Sequence, residues 1–252
     1  MRKVFALFLI LIALPAVAQE DVVAGLSQNR VSINATFIGS EILIFGAVKR
    51  ESPAPDTSTL DVIVVVEGPS SAITVRHKEK RYGIWVNTES VTVEAAPSFY
   101  AVASTGPLDQ ILDAAQDLQY HITIPQEIRL AAGEEKLAAF AEAVIRIRTK
   151  AGLYSQQVGG VTLSEDTLFN TSVKLPSNLT EGDYSARIYL LRGGEVISNY
   201  ETAITVRKVG LERWIYSLAH EKPLVYGLMA LVIAIAAGWG ASAFFRVILR
   251  KT

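Results

Sequence analysis

Short apolar runs, alternating or continuous and broken by Gly, Pro, Asn and Ser, fill the chain from residue 20 to about 104, and this pattern predicts strands. Val31 to Thr36 alternates and Glu41 to Val48 is nearly continuous, with Gly39-Ser40 between them. A loop with turn chemistry, Glu51 to Ser58, leads into Leu60 to Val66, a β-branched run closed by Gly68-Pro69 that reads as a buried strand. Further strands are expected at 71–77, 83–87, 90–94 and 98–103. Their close spacing points to an antiparallel sandwich rather than to strand-helix-strand units.

After Gly106 the period changes. Leu108, Ile111, Leu112, Ala115 and Leu118 fall on one helical face, with Pro107 suited to the first turn. A second helical pattern runs from about Gly133 to Ala151, with Leu137, Phe140, Val144 and Ile147 on one face and Glu142 four residues before Arg146. The helices either form a layer between two β regions or cover one sandwich. Strand patterns return at 157–163, 168–174, 183–192 and 195–206, the last two joined by the two-residue loop Gly193-Gly194. Glu181-Gly182-Asp183-Tyr184 resembles the entry to a late strand of an immunoglobulin-like domain, with Tyr184 placed as a tyrosine corner.

The two ends follow neither strand nor surface-helix periodicity. Arg2 and Lys3 precede the uncharged run Val4 to Leu14, and Ala16 and Ala18 put small residues where signal peptidase reads, so residues 1–18 are expected to be a cleaved signal peptide. That run is short for a membrane span, and with no Cys following it a lipoprotein anchor is excluded. At the other end Leu224 to Phe245 carries no charge and is long enough to cross about 30 Å of hydrocarbon. Trp214, Tyr216 and Tyr226 lie near one end of it and Trp239 toward the other, and Arg246, Arg250 and Lys251 follow. Positive-inside bias then places the tail 246–252 in the cytoplasm and the globular part in the periplasm of a bacterial inner-membrane protein. Between body and span, Leu211, Trp214, Ile215 and Leu218 share one face of an expected helix at 210–222, with Pro223 dividing it from the span. The expected organisation is thus a signal peptide at 1–18, a β-sandwich domain at 19–104, a helical segment at 105–152 and a second, immunoglobulin-like β region at 153–209. A juxtamembrane helix at 210–222, a transmembrane helix at 223–245 and a short tail complete it. In fold class the chain reads as mainly β, with immunoglobulin-like antiparallel sandwich regions, a two-helix segment and one C-terminal transmembrane helix.

Composition narrows the function classes. A net charge of −1 offers no global basic footprint for nucleic acid, and export removes that partner further. Absence of cysteine removes disulfides, thiolate nucleophiles and thiolate metal sites together. The three histidines, His77, His121 and His220, form no metal-binding spacing, and no G-x-S-x-G elbow occurs. Glu134-Glu135 and Glu165-Asp166 sit in hydrophilic stretches that read as solvated loops or helix ends rather than acid/base pairs. Neither a catalytic residue nor a cofactor motif emerges, and an enzyme is not expected.

Two features remain as candidate sites. Arg76, Lys78, Lys80 and Arg81, with His77, crowd positive charge beside Gly83-Ile-Trp-Val-Asn87. This is a candidate contact for an anion or an acidic partner; alternatively it is a solvated hairpin tip whose like charges keep a strand edge from pairing. Trp85 and Asn87, with Phe99 and Tyr100, are expected in the core rather than on a pocket wall. In the span, Ala230, Ala234, Gly238 and Ser242 repeat a small residue every fourth position, a candidate helix-packing face whose partner would be another copy or another integral membrane protein.

Val23 to Ser27, Asp61 to Pro69, Gly83 to Asn87, Pro97 to Val102, and Tyr226-Gly227 with Gly238-Trp239 together resemble the alphaproteobacterial transmembrane family Alph_Pro_TM. The resemblance implies no assigned activity, catalytic residue or cofactor. It does imply a genomic neighbourhood with permeases similar to sulfite exporters. The functional expectation is therefore a membrane-anchored periplasmic interaction module accessory to a multi-pass permease, with a periplasmic binder or sensor of a small anion as the alternative.

Overall fold

The computed structural model describes residues 20–50, 59–130 and 137–249. The expected signal peptide, the turn-rich loop at 51–58, the start of the second helix with Glu134-Glu135, and the last three residues lie outside them.

Thirteen strands and six helices follow in chain order among the described residues. The strands are β1 (Glu20–Leu26), β2 (Arg30–Ile33), β3 (Ser40–Arg50), β4 (Leu60–Glu67), β5 (Ser70–Arg81), β6 (Ile84–Pro97), β7 (Tyr100–Ser104), β8 (Arg129–Leu130), β9 (Tyr154–Val158), β10 (Val161–Ser164), β11 (Leu168–Leu175), β12 (Gly182–Arg192) and β13 (Glu195–Lys208). The helices are α1 (Leu108–Ile111), α2 (Ala114–Tyr120), α3 (Ile124–Glu127), α4 (Leu137–Lys150), α5 (Leu211–Glu221) and α6 (Pro223–Leu249). The chain is mainly β, as its periodicity predicts. Among the described residues, those of 20–31 and 38–206 form one unit, and those of 32–37 and 207–249 form a second.

In the first unit the sheets are β1-β3-β11-β10, β2-β13-β12-β4-β7-β9 and β5-β6-β8. Strands from before and after the helical segment share the first two: β3 pairs with β11 and β4 with β12, both antiparallel. The stretches 19–104 and 153–209 are therefore not separate sheets, and the helices cover one β body. The apolar run of β4 explains how. Val62 to Val66 are all fully buried, which an element achieves only with both faces covered. Ile63 and Val65 join Tyr100, Val102, Tyr189 and Leu191 in a core beneath Leu108, Ile111, Ile122 and Val144 of the helical segment. The opposite parity, Val62, Val64 and Val66, is buried as well. Its cover comes from the four-stranded sheet, whose β10 and β11 pack on β4.

One topological expectation is corrected. β7 and β9 are adjacent and parallel, Tyr100 opposite Tyr154 through Ser104 opposite Val158. Parallel neighbours need a crossover of a dozen or more residues, and the helical segment supplies it, so a strand-helix-strand unit sits within the six-stranded sheet. The expected helix over 108–118 is also broken. Leu112 is extended (φ −134°, ψ 121°), and the Asp113 amide donates to the Gly194 carbonyl at 3.0 Å, outside the helical ladder. Leu118 consequently faces solvent. The expected strand at 157–163 divides at Gly159-Gly160 into β9 and β10, which belong to different sheets; Gly159 takes φ +69°, the left-handed conformation that lets the chain turn away. The strands expected at 83–87 and 90–94 are one strand, β6. The Gly193-Gly194 hairpin forms as read, with Arg192 opposite Glu195. The Tyr184 hydroxyl donates to the Thr180 carbonyl, 2.8 Å away and four residues upstream.

In the second unit, Lys222 closes α5 by donating its amide to the Leu218 carbonyl at 3.1 Å, and Pro223 opens α6 where its missing N–H costs nothing. Pro223–Phe244 is long and apolar enough to cross a membrane, and none of its most apolar window is buried.

Candidate interaction surfaces

The basic stretch forms the outer half of a long hairpin. β5 and β6 pair from Ser70 opposite Pro97 to Arg81 opposite Ile84, and the turn is Tyr82-Gly83, with φ +51° and +87°. Positive φ at both turn residues matches the right-handed twist of the two strands. Residues directly opposite share a face, so Lys80 lies with Trp85 and Lys78 with Asn87, while Arg81 lies with Ile84 and Glu79 with Val86. Strand alternation puts Arg76 in line with Lys78 and Lys80. Arg81 bonds Glu79 through Nη2 at 3.0 Å on its own face. On the other face Arg76, Lys78 and Lys80 make no ion pair among the described residues. The core expectation for Trp85 and Asn87 is overturned: Trp85 is 67% exposed and Asn87 is exposed too, because the hairpin runs on past the sheets that would cover it. Phe99 and Tyr100, at the buried base, are each 1% exposed and lie in the core.

Ala230, Ala234, Gly238 and Ser242 fall on α6 and are all exposed. A Cβ built on Gly238 would meet nothing within 4 Å. The small-residue row is therefore open along the described span.

Two charge clusters that the sequence does not announce lie inside the β body. Glu20 on β1 accepts from Arg50 Nε at 2.6 Å, from Arg192 Nε at 2.6 Å and from Arg192 Nη2 at 2.8 Å. The Arg192 hydrogen bonds, opposed by desolvation and helped by Arg50, hold its carboxyl below the usual range. Because β1 and β3 belong to the four-stranded sheet and β12 to the six-stranded one, this carboxylate fastens one sheet to the other. Beneath the helices, Arg187 Nη2 reaches Glu67 Oε2 at 3.0 Å, Glu127 Oε2 at 3.5 Å and the Tyr100 hydroxyl at 3.2 Å, while Nη1 donates to the Tyr120 carbonyl at 3.3 Å. The Tyr100 hydroxyl in turn donates to the Ile122 carbonyl at 3.0 Å, and burial raises its pKa well above the ordinary tyrosine range. These residues come from β4, β7, β12, α2 and α3, so the cluster ties the crossover to its sheet.

A further surface lies on the outer face of the four-stranded sheet, where Val23, Gly25, Phe45, Gly46, Leu168 and Asn170 line an open groove of about 580 Å³. Val23, Leu43, Phe45 and Leu168 are exposed there. The signal in the sequence was the nearly continuous apolar run at 41–48, since a strand with a solvated face should alternate.

The histidines are scattered. His77 is on the exposed hairpin, His121 caps α2 at φ +51°, and His220 stacks on Tyr216 in α5. No group of three potential metal ligands occurs among the described residues. Glu165 and Asp166 occupy a turn with φ near +50°.

A family model described as "Putative transmembrane protein (Alph_Pro_TM)" matches residues 21–247. The chain belongs to this family. The match takes in the β body from Asp21 on and nearly all of α6, so the Alph_Pro_TM protein is a membrane protein with one candidate C-terminal span among the described residues. No curated protein matches it. Among solved structures, the sporulation control protein Spo0M of Bacillus subtilis is similar over 76% of this chain and 50% of its own, at 10% identity and a TM-score of 0.28. The Alph_Pro_TM chain thus spans half the length of Spo0M.

Proposed function

We propose that this protein is a membrane-anchored periplasmic interaction module, held in the bacterial inner membrane with its C-terminus in the cytoplasm. A body of immunoglobulin-like strands faces the periplasm, and the span is part of the working surface. The reading rests on one observation above the others, the open face of α6, where Ala230, Ala234, Gly238 and Ser242 stand exposed with room for another helix backbone to approach closely. The basic tail residues Arg246, Arg250 and Lys251 support the orientation. The exposed apolar groove over Phe45 and Leu168 supports a body that meets other macromolecules, since contiguous apolar patches on a protein surface mark interaction sites. The class of partner, a multi-pass permease similar to sulfite exporters, comes from the family resemblance. We do not read the protein as an enzyme.

A small-anion binder or sensor has less in its favour, because Arg76, Lys78 and Lys80 stand exposed on a projecting hairpin that does not enclose a ligand. The module reading is tested by co-purification in mild detergent followed by mass spectrometry, comparing the native chain with Gly238→Ile. A dominant permease in the native sample and its loss in the variant is the expected result. Equal recovery from both would remove this face from the mechanism.

A further inference from the structure

The tip of the β5–β6 hairpin carries a combination of groups that turn geometry does not demand. Tyr82 occupies a left-handed position that Gly, Asn or Asp would fill with less strain, and its ring is fully exposed. Ile84 and Trp85 follow at 64% and 67% exposure. Behind them Arg76, Lys78 and Lys80 form a cationic row on the Trp85 face that makes no ion pair among the described residues, and Arg81 lies with Ile84 on the other. Edge protection explains the lysines, but it does not explain three large apolar side chains held in water at the apex.

We propose that this tip docks on an anionic bilayer surface, with the Tyr82 and Trp85 rings at headgroup level and Arg76, Lys78 and Lys80 against lipid phosphates. Trp and Tyr favour that zone because one end of each ring system is apolar and the other can hydrogen-bond. The cations match the negative surface potential that acidic lipids create. The distribution of apolar groups selects a bilayer over a protein partner. Trp85 is on one face, Ile84 on the other and Tyr82 at the apex, so apolar surface surrounds the end of the hairpin. A protein surface would be met by one face, whereas a headgroup layer receives such a tip end-on. The chain carries its own candidate span, so the hairpin belongs to a molecule already attached to a membrane. The inference rests on that attachment and is independent of the permease reading.

The full-length chain, with Trp214→Phe and Trp239→Phe so that Trp85 is the sole tryptophan and is excited selectively at the red edge of the absorption band, is placed in nanodiscs of neutral lipid or of neutral lipid with about a third acidic phospholipid. Brominated acyl chains then report depth by quenching. Trp85 emission should shift to the blue and be quenched in the acidic discs, and high salt should reverse both effects, because surface charges are screened within a Debye length. Each cation near such a surface contributes about fivefold, so Lys78→Gln with Lys80→Gln should lower the docked-to-undocked ratio about 25-fold. Because every substituted hairpin residue is exposed, an unchanged melting temperature checks that the variants remain folded. Water-like, unquenched emission in both disc types would overturn the proposal and leave a protein as the occupant of the tip. Quenching that is equal in both and indifferent to the lysine substitutions would overturn the role of the cations. Partner recovery through α6 tests a different surface, so either result can fail alone.

Discussion

Glu20 is the residue whose removal should matter most for its size. Its side chain is 3% exposed and accepts three hydrogen bonds from Arg50 and Arg192, which are themselves only 15% and 11% exposed. Glu20→Gln keeps the shape but removes the charge, leaving two guanidinium groups to face each other across a neutral amide. Breaking one partner out of a buried ion pair costs about 3–5 kcal/mol. Residual access of water to the arginines places this case at the lower end, about 3 kcal/mol, which for a body of this size lowers Tm by roughly 6–12 °C. The pH dependence carries a definite sign. Because Glu20 has a folded pKa depressed below its ordinary value of 4.5, its contribution is fully present above that value and is lost as pH falls through the folded pKa. Urea titration of the full-length protein, followed by the β signal in far-ultraviolet circular dichroism, should show a gap of about 3 kcal/mol between wild type and variant at pH 7 that narrows below pH 4.5. A variant within about 0.5 kcal/mol of wild type, or a gap unchanged on acidification, would refute the clamp.

Two other substitutions separate exposed from packed sites. Trp85→Ala should leave stability within about 0.5 kcal/mol, as expected of a surface position, whereas a loss of about 3–5 kcal/mol in the same urea titration would return Trp85 to the core. Gly46→Val should destabilise the four-stranded sheet by about 1–3 kcal/mol or more, because a Cβ at Gly46 collides with the Phe169 ring and the Val23 carbonyl; a wild-type midpoint would show that the ring can yield.

Much of the β character was legible because its signals are local. The β-branched run at Leu60 to Val66, the paired glycines at 193–194 and the chargeless stretch after Pro223 act within a few residues, through side-chain shape, allowed φ and chain hydropathy. The hairpin tip was legible as charge but not as surface. Trp85 alternates as a core strand residue would, and periodicity alone cannot show that the strand continues beyond the sheets that could cover it. The helix over 108–118 failed for a similar reason: its apolar spacing is intact, but the Asp113 amide bonds the Gly194 carbonyl of a distant hairpin.

By itself, the sequence determined that this chain would be mainly β, that a helical segment interrupts its run of strands, and that an apolar helix able to span a membrane follows the last of them. Sheet order was decided only in three dimensions. β4 finds β12 across about 120 residues, and the same pairing lets Arg187 reach Glu67, a separation at which no local preference operates. The partners of Glu20 likewise exist only once the two sheets have met, because a buried carboxylate becomes tolerable when folding delivers its cations to it. Local chemistry chose the elements; long-range pairing chose which faces became core and which stayed open for contact.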